Sequence, residues 1–146
     1  MEATKEAGIK KNGYEPFTVM QANHSGRYSN PDNRPAPIIA QRIPWLEQFR
    51  AADDSCIVTD DYLDALVEKF GEGARLAKEA GFDAVDVKSS HGYLFQEMIA
   101  ARLRPGKYGG SYENRTRLLK DSIAAAKREE TAVSLSISTM IKLLIS

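Results

Sequence analysis

One pattern constrains the fold of this chain more than any other: a long amphipathic stretch that is followed directly by a short apolar run. Apolar side chains recur there at spacings of three and four residues, which predicts a helix with one buried stripe: Leu63, Leu66, Val67, Phe70, Ala74 and Ala77. Thr59 suits the N-cap of this helix, and Gly81 suits a left-handed C-cap. The apolar run Ala84–Val87 then predicts a short strand.

An earlier apolar run supplies a second strand. Residues 17–20 follow Pro16 and predict a buried strand that ends near Gln21. Strand, helix and strand in this order are typical of a βαβ crossover on a parallel sheet, so the fold class is α/β. Residues 22–44 predict a long loop, because five of them are proline or glycine.

The remaining segments predict surface and helical elements. Residues 1–14 are polar and predict a surface lead-in, whereas residues 94–101 and 115–127 predict helices. The length of 146 residues fits one domain, but a complete eight-fold α/β barrel needs ~250 residues.

Charge and cysteine content exclude several classes of function. Twenty basic and twenty acidic residues balance, which argues against a nucleic-acid binder or a partner of anionic membranes. No stretch approaches the ~20 apolar residues of a membrane span. The single cysteine, Cys56, excludes an internal disulfide framework, and a reducing, cytoplasmic setting is expected.

Three side chains with catalytic chemistry follow the predicted strand Ala84–Val87. Lys88, His91 and Tyr93 supply a cation, an imidazole and a phenol within six residues. They fall at the carboxyl end of a strand, which is where α/β proteins bind ligands. Lys88 and His91 can donate to an oxygen that gains negative charge, and Tyr93 can donate a proton. Composition alone favours the alternative, a solvated turn between strand and helix.

Two further segments are weaker candidates. Gln21 should lie at the same edge of the sheet, and its amide can pair with a planar heterocycle; alternatively, it caps the strand while Arg27 pins the loop. His24 is expected to pack in that loop rather than to bind a ligand.

Residues 108–117 hold two glycines, a serine and an asparagine before a helix. They suit an anion nest or, the interpretation we favour, a tight turn with a helix cap.

These segments, in this order and spacing, resemble the old yellow enzyme family of FMN-dependent oxidoreductases. The resemblance runs from about residue 17 to residue 127 and rests on the segments AGFDAVDVKSSHGYL, YGGSYENRTRLL and QANHSGRYS. The form with lysine at the strand end is similar to a subgroup described as NADH:flavin oxidoreductases or NADH oxidases. The resemblance implies a (β/α)8 TIM barrel that holds FMN over the carboxyl ends of its strands. It also implies reduction by NADH or NADPH and hydride transfer to an activated alkene, such as an α,β-unsaturated carbonyl compound.

The resemblance also implies a role for each matching residue. Gln21 aligns with the glutamine that hydrogen-bonds the flavin ring. Lys88 and His91 align with the two residues that bind the carbonyl oxygen of the substrate, and Tyr93 aligns with the tyrosine that protonates the carbon beside the carbonyl. Lys88 departs from the commoner histidine. A cationic lysine beside His91 suits a carboxylate-bearing substrate, a hypothesis that substrate profiling of Lys88→His would test.

By the same resemblance, the chain is a partial TIM barrel with roughly two βα units and long loops, and the barrel is not closed within the chain. The resemblance implies that the chain starts just before the third barrel strand and stops near the fourth helix. Residues 1–146 then form one incomplete domain, of which residues 131–146 are an atypical C-terminal tail. A cofactor site must enclose most of its ligand, so we expect weak or no FMN binding by this chain alone.

Three interpretations of function remain. The chain belongs to an FMN-dependent oxidoreductase that acts on a small-molecule substrate once a partner or further chain completes the barrel. Alternatively, it is a non-catalytic fragment, or an interaction module that self-associates or docks on a complete homologue through its open barrel edges. Flavin retention favours the first interpretation, concentration-dependent aggregation the second, and a stable complex with a homologue the third.

Overall fold

The computed structural model describes residues 1–129, so the predicted tail at 131–146 lies outside the described residues. Helices and two short strands alternate along this part of the chain. In order they are α1 (Glu2–Asn12), β1 (Val19–Ala22), α2 (Pro44–Glu47), α3 (Asp60–Glu79), β2 (Ala84–Val87), α4 (Leu94–Ala100), α5 (Tyr112–Arg115) and α6 (Arg117–Arg128). Single turns of 3-10 helix at Gly26–Tyr28, Pro31–Asn33 and Asp54–Cys56 interrupt the long loop and its continuation.

The two strands form a parallel pair, and α3 crosses between them. Gln21 lies opposite Asp86, and Ala22 lies opposite Val87. The pairing continues one residue further, because the backbone N–H of Lys88 donates to the carbonyl of Ala22 at 3.0 Å. The predicted βαβ unit is therefore confirmed, and the carboxyl ends of both strands meet at one edge of the sheet.

Helix α3 forms for the local reasons that its sequence predicts. The Thr59 hydroxyl accepts a hydrogen bond from the Tyr62 N–H at 3.1 Å, which satisfies one free donor of the first turn. At the other end, Gly81 adopts a φ of +83°, as a left-handed C-cap requires. The apolar stripe faces α6 and the sheet, and Gly71 lets the backbone of α3 come close to Ala125. Five of the six stripe residues are buried: Leu63, Val67, Phe70, Ala74 and Ala77.

The main core lies between α3, α4 and α6, beneath β2. Phe70 on α3 packs against Phe95 on α4 with ring centroids 4.9 Å apart. Full burial of a large apolar side chain contributes roughly 1.5–3 kcal/mol, so this cluster is the main support for the strand ends above it. Its largest apolar members are Leu63, Phe70, Leu94, Phe95, Met98, Tyr108 and Leu118.

The prediction of a buried first strand was wrong. Phe17 is 66% exposed and Val19 is 46% exposed. Within the described residues β1 pairs with β2 alone, which leaves its other edge and one face uncovered. Burial of a parallel strand depends on neighbours that its own sequence does not specify.

Two other predicted segments differ in detail. Residues 1–14 lie at the surface as predicted, with no buried residue in α1, but most of them form this helix (Glu2–Asn12), which the sequence analysis did not predict. The predicted helix at 115–127 is divided at Thr116, where α5 ends and α6 begins. Helix α1 is fixed to the sheet by Lys5, whose Nζ donates to the Asp83 carboxylate at 2.5 Å.

Acid should weaken the contact between α1 and the sheet. Lys5 and Thr18 both donate to the Asp83 carboxylate and lower its pKa to about 2 from the ordinary 3.8. This carboxylate therefore stabilises the fold above about pH 4, and the contribution disappears as pH falls from about 4 towards 2. We expect urea unfolding to show that Asp83→Asn destabilises the chain at about pH 7 and clearly less at about pH 3. An equal effect at both pH values would contradict this assignment.

Candidate active site at the carboxyl ends of the strands

The segment after β2 is held in place by the loop that follows β1. The backbone N–H of Leu94, the first residue of α4, donates to the carbonyl of His24 at 3.2 Å. A side chain at Gly26 would place its Cβ 2.6 Å from the Leu94 nitrogen, and Gly26 has a φ of +59°. Glycine at position 26 is therefore needed for the two loops to touch. Their contact fixes the turn that carries Lys88, His91 and Tyr93.

Lys88 and Tyr93 lie together at this edge of the sheet. The Lys88 ammonium is 4.2 Å from the centroid of the Tyr93 ring, a cation–π contact. In the described part of the chain no carboxylate pairs with Lys88, and the Tyr93 hydroxyl has no hydrogen-bond partner. A cation and a phenol are thus both available to a ligand at the strand end, as the sequence predicts.

His91 projects from the tip of the same turn and is exposed. Its backbone has a φ of +65°, and the next residue, Gly92, has a φ of +70°. The left-handed region costs a residue other than glycine roughly 1–2 kcal/mol. Its Nδ1 lies 3.4 Å from the Ser90 hydroxyl, which leaves Nε2 unpaired. A strained histidine with a free ring nitrogen at a strand end is consistent with a binding role.

Replacing His91 should separate backbone strain from side-chain function. We expect His91→Gly to raise the free energy of unfolding by about 1 kcal/mol, because glycine adopts the left-handed region without strain. As a matched control, Arg102→Gly at an exposed loop position without a positive φ should lower it. Urea denaturation followed by circular dichroism measures both changes. Equal destabilisation by the two variants would argue against strain at His91.

Gln21 is oriented by a buried carboxylate that the sequence analysis did not single out. The exposed Gln21 amide donates through Nε2 to Asp86 Oδ2 at 2.8 Å. Asp86 is 6% exposed, and its Oδ1 is buried without a partner among the described residues. The amide oxygen of Gln21 remains available to a ligand. An acidic residue inside the apolar run Ala84–Val87 was the available signal, because a buried charge requires a partner.

Arg27 pins the loop after β1, as the sequence analysis allowed. Its Nε donates to Glu97 Oε1 at 2.7 Å, and both side chains are almost fully buried. Glu97 also accepts from the backbone N–H of Ala40 at 3.2 Å. His24 packs in the same loop as expected: Nε2 lies 2.8 Å from the Tyr62 hydroxyl, and burial lowers the pKa of its imidazole.

The glycine-rich segment before α5 is a closed turn. Ser111 Oγ accepts from the Asn114 N–H at 3.2 Å and caps the helix. The N–H groups of Gly109 and Gly110 donate to the carbonyls of Gly106 and Ala101. The preferred interpretation, a tight turn with a helix cap, is confirmed. The described residues also contain no group of three His, Cys, Asp or Glu side chains suited to a metal ion.

Two residues beside the site carried no signal in the sequence. The Tyr28 ring lies 5.9 Å from the Tyr93 ring, and the Arg50 guanidinium carbon lies 5.3 Å above the Tyr28 ring. Arg50, Tyr28, Tyr93 and Lys88 therefore form a continuous series of aromatic and cation–π contacts. Tyr28 lies in the long loop and Arg50 in the segment after α2, and hydrophobic periodicity gives no indication of contacts in either place.

Within residues 1–129, no helix combines the length and the apolar character that crossing a membrane requires.

Comparison with known proteins identifies the family. A family model described as the NADH:flavin oxidoreductase / NADH oxidase family matches residues 7–142. An NADPH dehydrogenase of a Geobacillus species is 38% identical over 111 residues, which are 74% of this chain and 31% of that protein. An NADH-dependent flavin oxidoreductase of Aspergillus parasiticus is 30% identical over 128 residues, which are 84% of this chain and 28% of that protein. The chain thus spans about a third of the length of these relatives.

Solved structures give the same result for the fold. An old yellow enzyme from a Pichia species matches with a TM-score of 0.71 and 28% identity, over 93% of this chain and 38% of that one. Histamine dehydrogenase from a Rhizobium species matches with a TM-score of 0.70 and 21% identity, over 98% of this chain and 23% of that one, and shows a likeness of fold. The predicted partial TIM barrel is confirmed. With the family model covering most of the sequence, the chain belongs to the NADH:flavin oxidoreductase / NADH oxidase family.

Proposed function

We propose that this chain supplies one part of the active site of an FMN-dependent NAD(P)H oxidoreductase of the old yellow enzyme type, which transfers a hydride to an activated alkene such as an α,β-unsaturated carbonyl compound. The observation that carries the proposal is the Lys88–Tyr93 pair at the carboxyl end of β2, with contact at 4.2 Å. Gln21 lies on the adjacent strand, in register with Asp86. The family and its relatives imply FMN as cofactor and NADH or NADPH as reductant.

The residues at the strand ends fit the ring system of FMN. Gln21 has a fixed, exposed amide with a free oxygen, held by the buried carboxylate of Asp86. An amide of this kind can accept from an imide N–H and donate to a ring carbonyl, which are the polar groups at the edge of a flavin. When bound, reduced FMN supplies the hydride. Gln21 would orient the ring over the strand ends.

Lys88 and His91 would bind the substrate through its carbonyl oxygen. Both can donate a hydrogen bond, and this oxygen gains negative charge as the double bond is reduced. Lys88 adds a full positive charge that no carboxylate neutralises in the described residues. Its position over the Tyr93 ring brings the bound oxygen close to the phenol.

Tyr93 would complete the reduction by giving its phenolic proton to the carbon beside the carbonyl. Its hydroxyl makes no hydrogen bond within the described residues, so the proton is not committed elsewhere. The ring is held between Tyr28 and Lys88, which fixes the direction of the hydroxyl. Positioned proton transfer of this kind contributes about 10²–10⁴-fold to a rate.

We expect the 146-residue chain to retain FMN weakly, because the sheet of the described residues has only two strands and an open edge, whereas a cofactor site must enclose most of its ligand. The measurement is the visible absorption spectrum after incubation with FMN and desalting, with Gln21→Ala as the matched variant. Loss of flavin on desalting, with weaker binding by Gln21→Ala in titration, is the expected result. Tight retention that does not depend on Gln21 would contradict the assigned role.

An additional observation favours the binding of another polypeptide segment at the unpaired edge of β1. Val19 on β1 and Phe17, two residues before it, are exposed beside the uncovered edge and face of the strand. An open strand edge is a template for pairing with another chain. We propose that this edge receives a further barrel segment, from a second copy or from a complete homologue. Gel filtration of the same samples would then show flavin only in fractions larger than the single chain.

A further inference from the structure

A cavity of about 280 Å³ lies close to Tyr28, outside the set of residues assigned above. Among the described residues, no acidic side chain lines it. Its walls come from the loop after β1 and from the segment that follows α2, and two of them are arginines: Arg27, Pro35, Pro37, Phe49, Arg50 and Ala51.

Arg27 brings an unfilled hydrogen-bond donor to this cavity. Arg27 is 2% exposed. Its Nε donates to Glu97 Oε1 at 2.7 Å, and its Nη2 donates to Glu97 Oε2 at 3.4 Å. The third nitrogen, Nη1, is buried with no partner among the described residues. A buried donor without an acceptor costs about 1–3 kcal/mol, so a ligand that supplies an acceptor regains this loss. Glu97 neutralises the charge of Arg27, which therefore offers a hydrogen bond and no net charge.

Arg50 brings the net charge. It is exposed, and among the described residues its side chain contacts the Tyr28 ring and no carboxylate. Arg42, another arginine nearby in the sequence, contrasts with it, because Arg42 donates to Glu47 and Asp54 at 2.7–2.9 Å. The guanidinium group is suited to oxyanions, since its planar fork binds two oxygens at once.

The cavity is connected to the proposed catalytic residues through aromatic contacts. Arg50 lies over Tyr28 at 5.3 Å, and Tyr28 lies 5.9 Å from Tyr93. A ligand that reaches from Tyr93 to Arg50 therefore passes a single ring, that of Tyr28.

We propose that the cavity is an oxyanion subsite, which takes a carboxylate or phosphate group that the alkene substrate carries at a distance from its reacting double bond. The assignment of this anion to the substrate rests on the proposed oxidoreductase function. The anion contacts the exposed Arg50 first and reaches Nη1 of Arg27 after a small shift of the cavity wall, because Nη1 is covered in the ligand-free arrangement.

The test measures binding of simple anions to the whole chain without flavin. The probes are inorganic phosphate and acetate, titrated at low ionic strength and followed through the amide and arginine N–H signals in NMR spectra. We expect saturable shifts at residues 27 and 50–51, with a Kd on the order of 1–10 mM for the preferred anion. Arg50→Gln should weaken binding about tenfold, and Arg50→Lys, which keeps the charge but loses the planar fork, should weaken it by a smaller factor. The control Arg102→Gln removes an equal charge from an exposed loop outside the cavity and should leave binding unchanged.

Each outcome decides the proposal. Phosphate binding with weak acetate binding identifies a phosphate group on the substrate, and the reverse identifies a carboxylate. Shifts that never saturate, or equal weakening by Arg50→Gln and Arg102→Gln, would overturn the subsite. Because no flavin is present, that failure is distinct from a failure of the chain to bind FMN, which would count against the proposed oxidoreductase function.

Discussion

Replacing Glu97 by alanine is expected to lower the free energy of unfolding by about 3–5 kcal/mol, the largest effect on stability that we predict. The variant leaves the guanidinium of Arg27 buried without a counter-charge, since the two side chains are only 1% and 4% exposed. It also removes the acceptor of the Ala40 N–H, which Glu97 binds at 3.2 Å. An uncompensated buried charge costs far more than the original pair contributes.

Two controls separate this explanation from simple loss of packing. The double variant Arg27→Met/Glu97→Leu removes both charges and should recover most of the stability, because apolar pairs can replace buried ion pairs. Arg75→Ala breaks exposed pairs with Glu72 and Glu79 and should cost less than about 1 kcal/mol. Urea denaturation followed by circular dichroism measures all three. A cost below about 1 kcal/mol for Glu97→Ala would show that the pair is unimportant.

The largest expected effect on activity is that of Tyr93→Phe. In a preparation that holds FMN and reduces an alkene, we expect turnover to fall by about 10²–10⁴-fold, because the variant removes the proposed proton donor. Phenylalanine keeps the ring that packs against Tyr28 and Lys88, so the shape of the site should be preserved. Steady-state kinetics with an enone and its pH dependence measure the effect.

The matched control is Tyr28→Phe, which removes a hydroxyl from the neighbouring ring. It should leave the turnover of a neutral enone nearly unchanged, because Tyr28 is assigned no proton transfer. If both variants lost activity equally, the loss would be structural. If Tyr93→Phe kept full turnover, the proton would have to come from another group.

The elements that the sequence predicted correctly are those with a local cause. Helix α3 has its cap, its apolar stripe and its terminal glycine within one continuous segment, and the structure confirms all three. The strand Ala84–Val87 was also predicted correctly, because its apolar run marks where the strand begins and ends. The predicted burial of β1 was wrong, since burial depends on neighbouring strands that a local pattern does not contain.

In the candidate site too, the sequence reveals the residues that a local pattern marks but not their distant partners. Lys88, His91 and Tyr93 could be found because polar groups stand where an apolar strand stops, and their roles remain a prediction. The partners that hold the site are distant in sequence: Arg27 and Glu97 are separated by 70 residues, and Gln21 and Asp86 by 65. No periodicity links such pairs. A charged residue in an apolar segment indicates that a partner exists but not which residue it is.

The parallel pairing of β1 with β2 also bears on the order of events during synthesis. Gln21 and Asp86 are 65 residues apart, so β1 leaves the ribosome long before its partner strand exists. Helix α3 can form in the meantime, because helices need local contacts only and grow within about a microsecond. Pairing of distant strands is slower, since the intervening chain must first be ordered. The edge that carries the candidate site is therefore among the last parts of the domain to assemble, and a nascent chain acquires it only after helix α3 is in place.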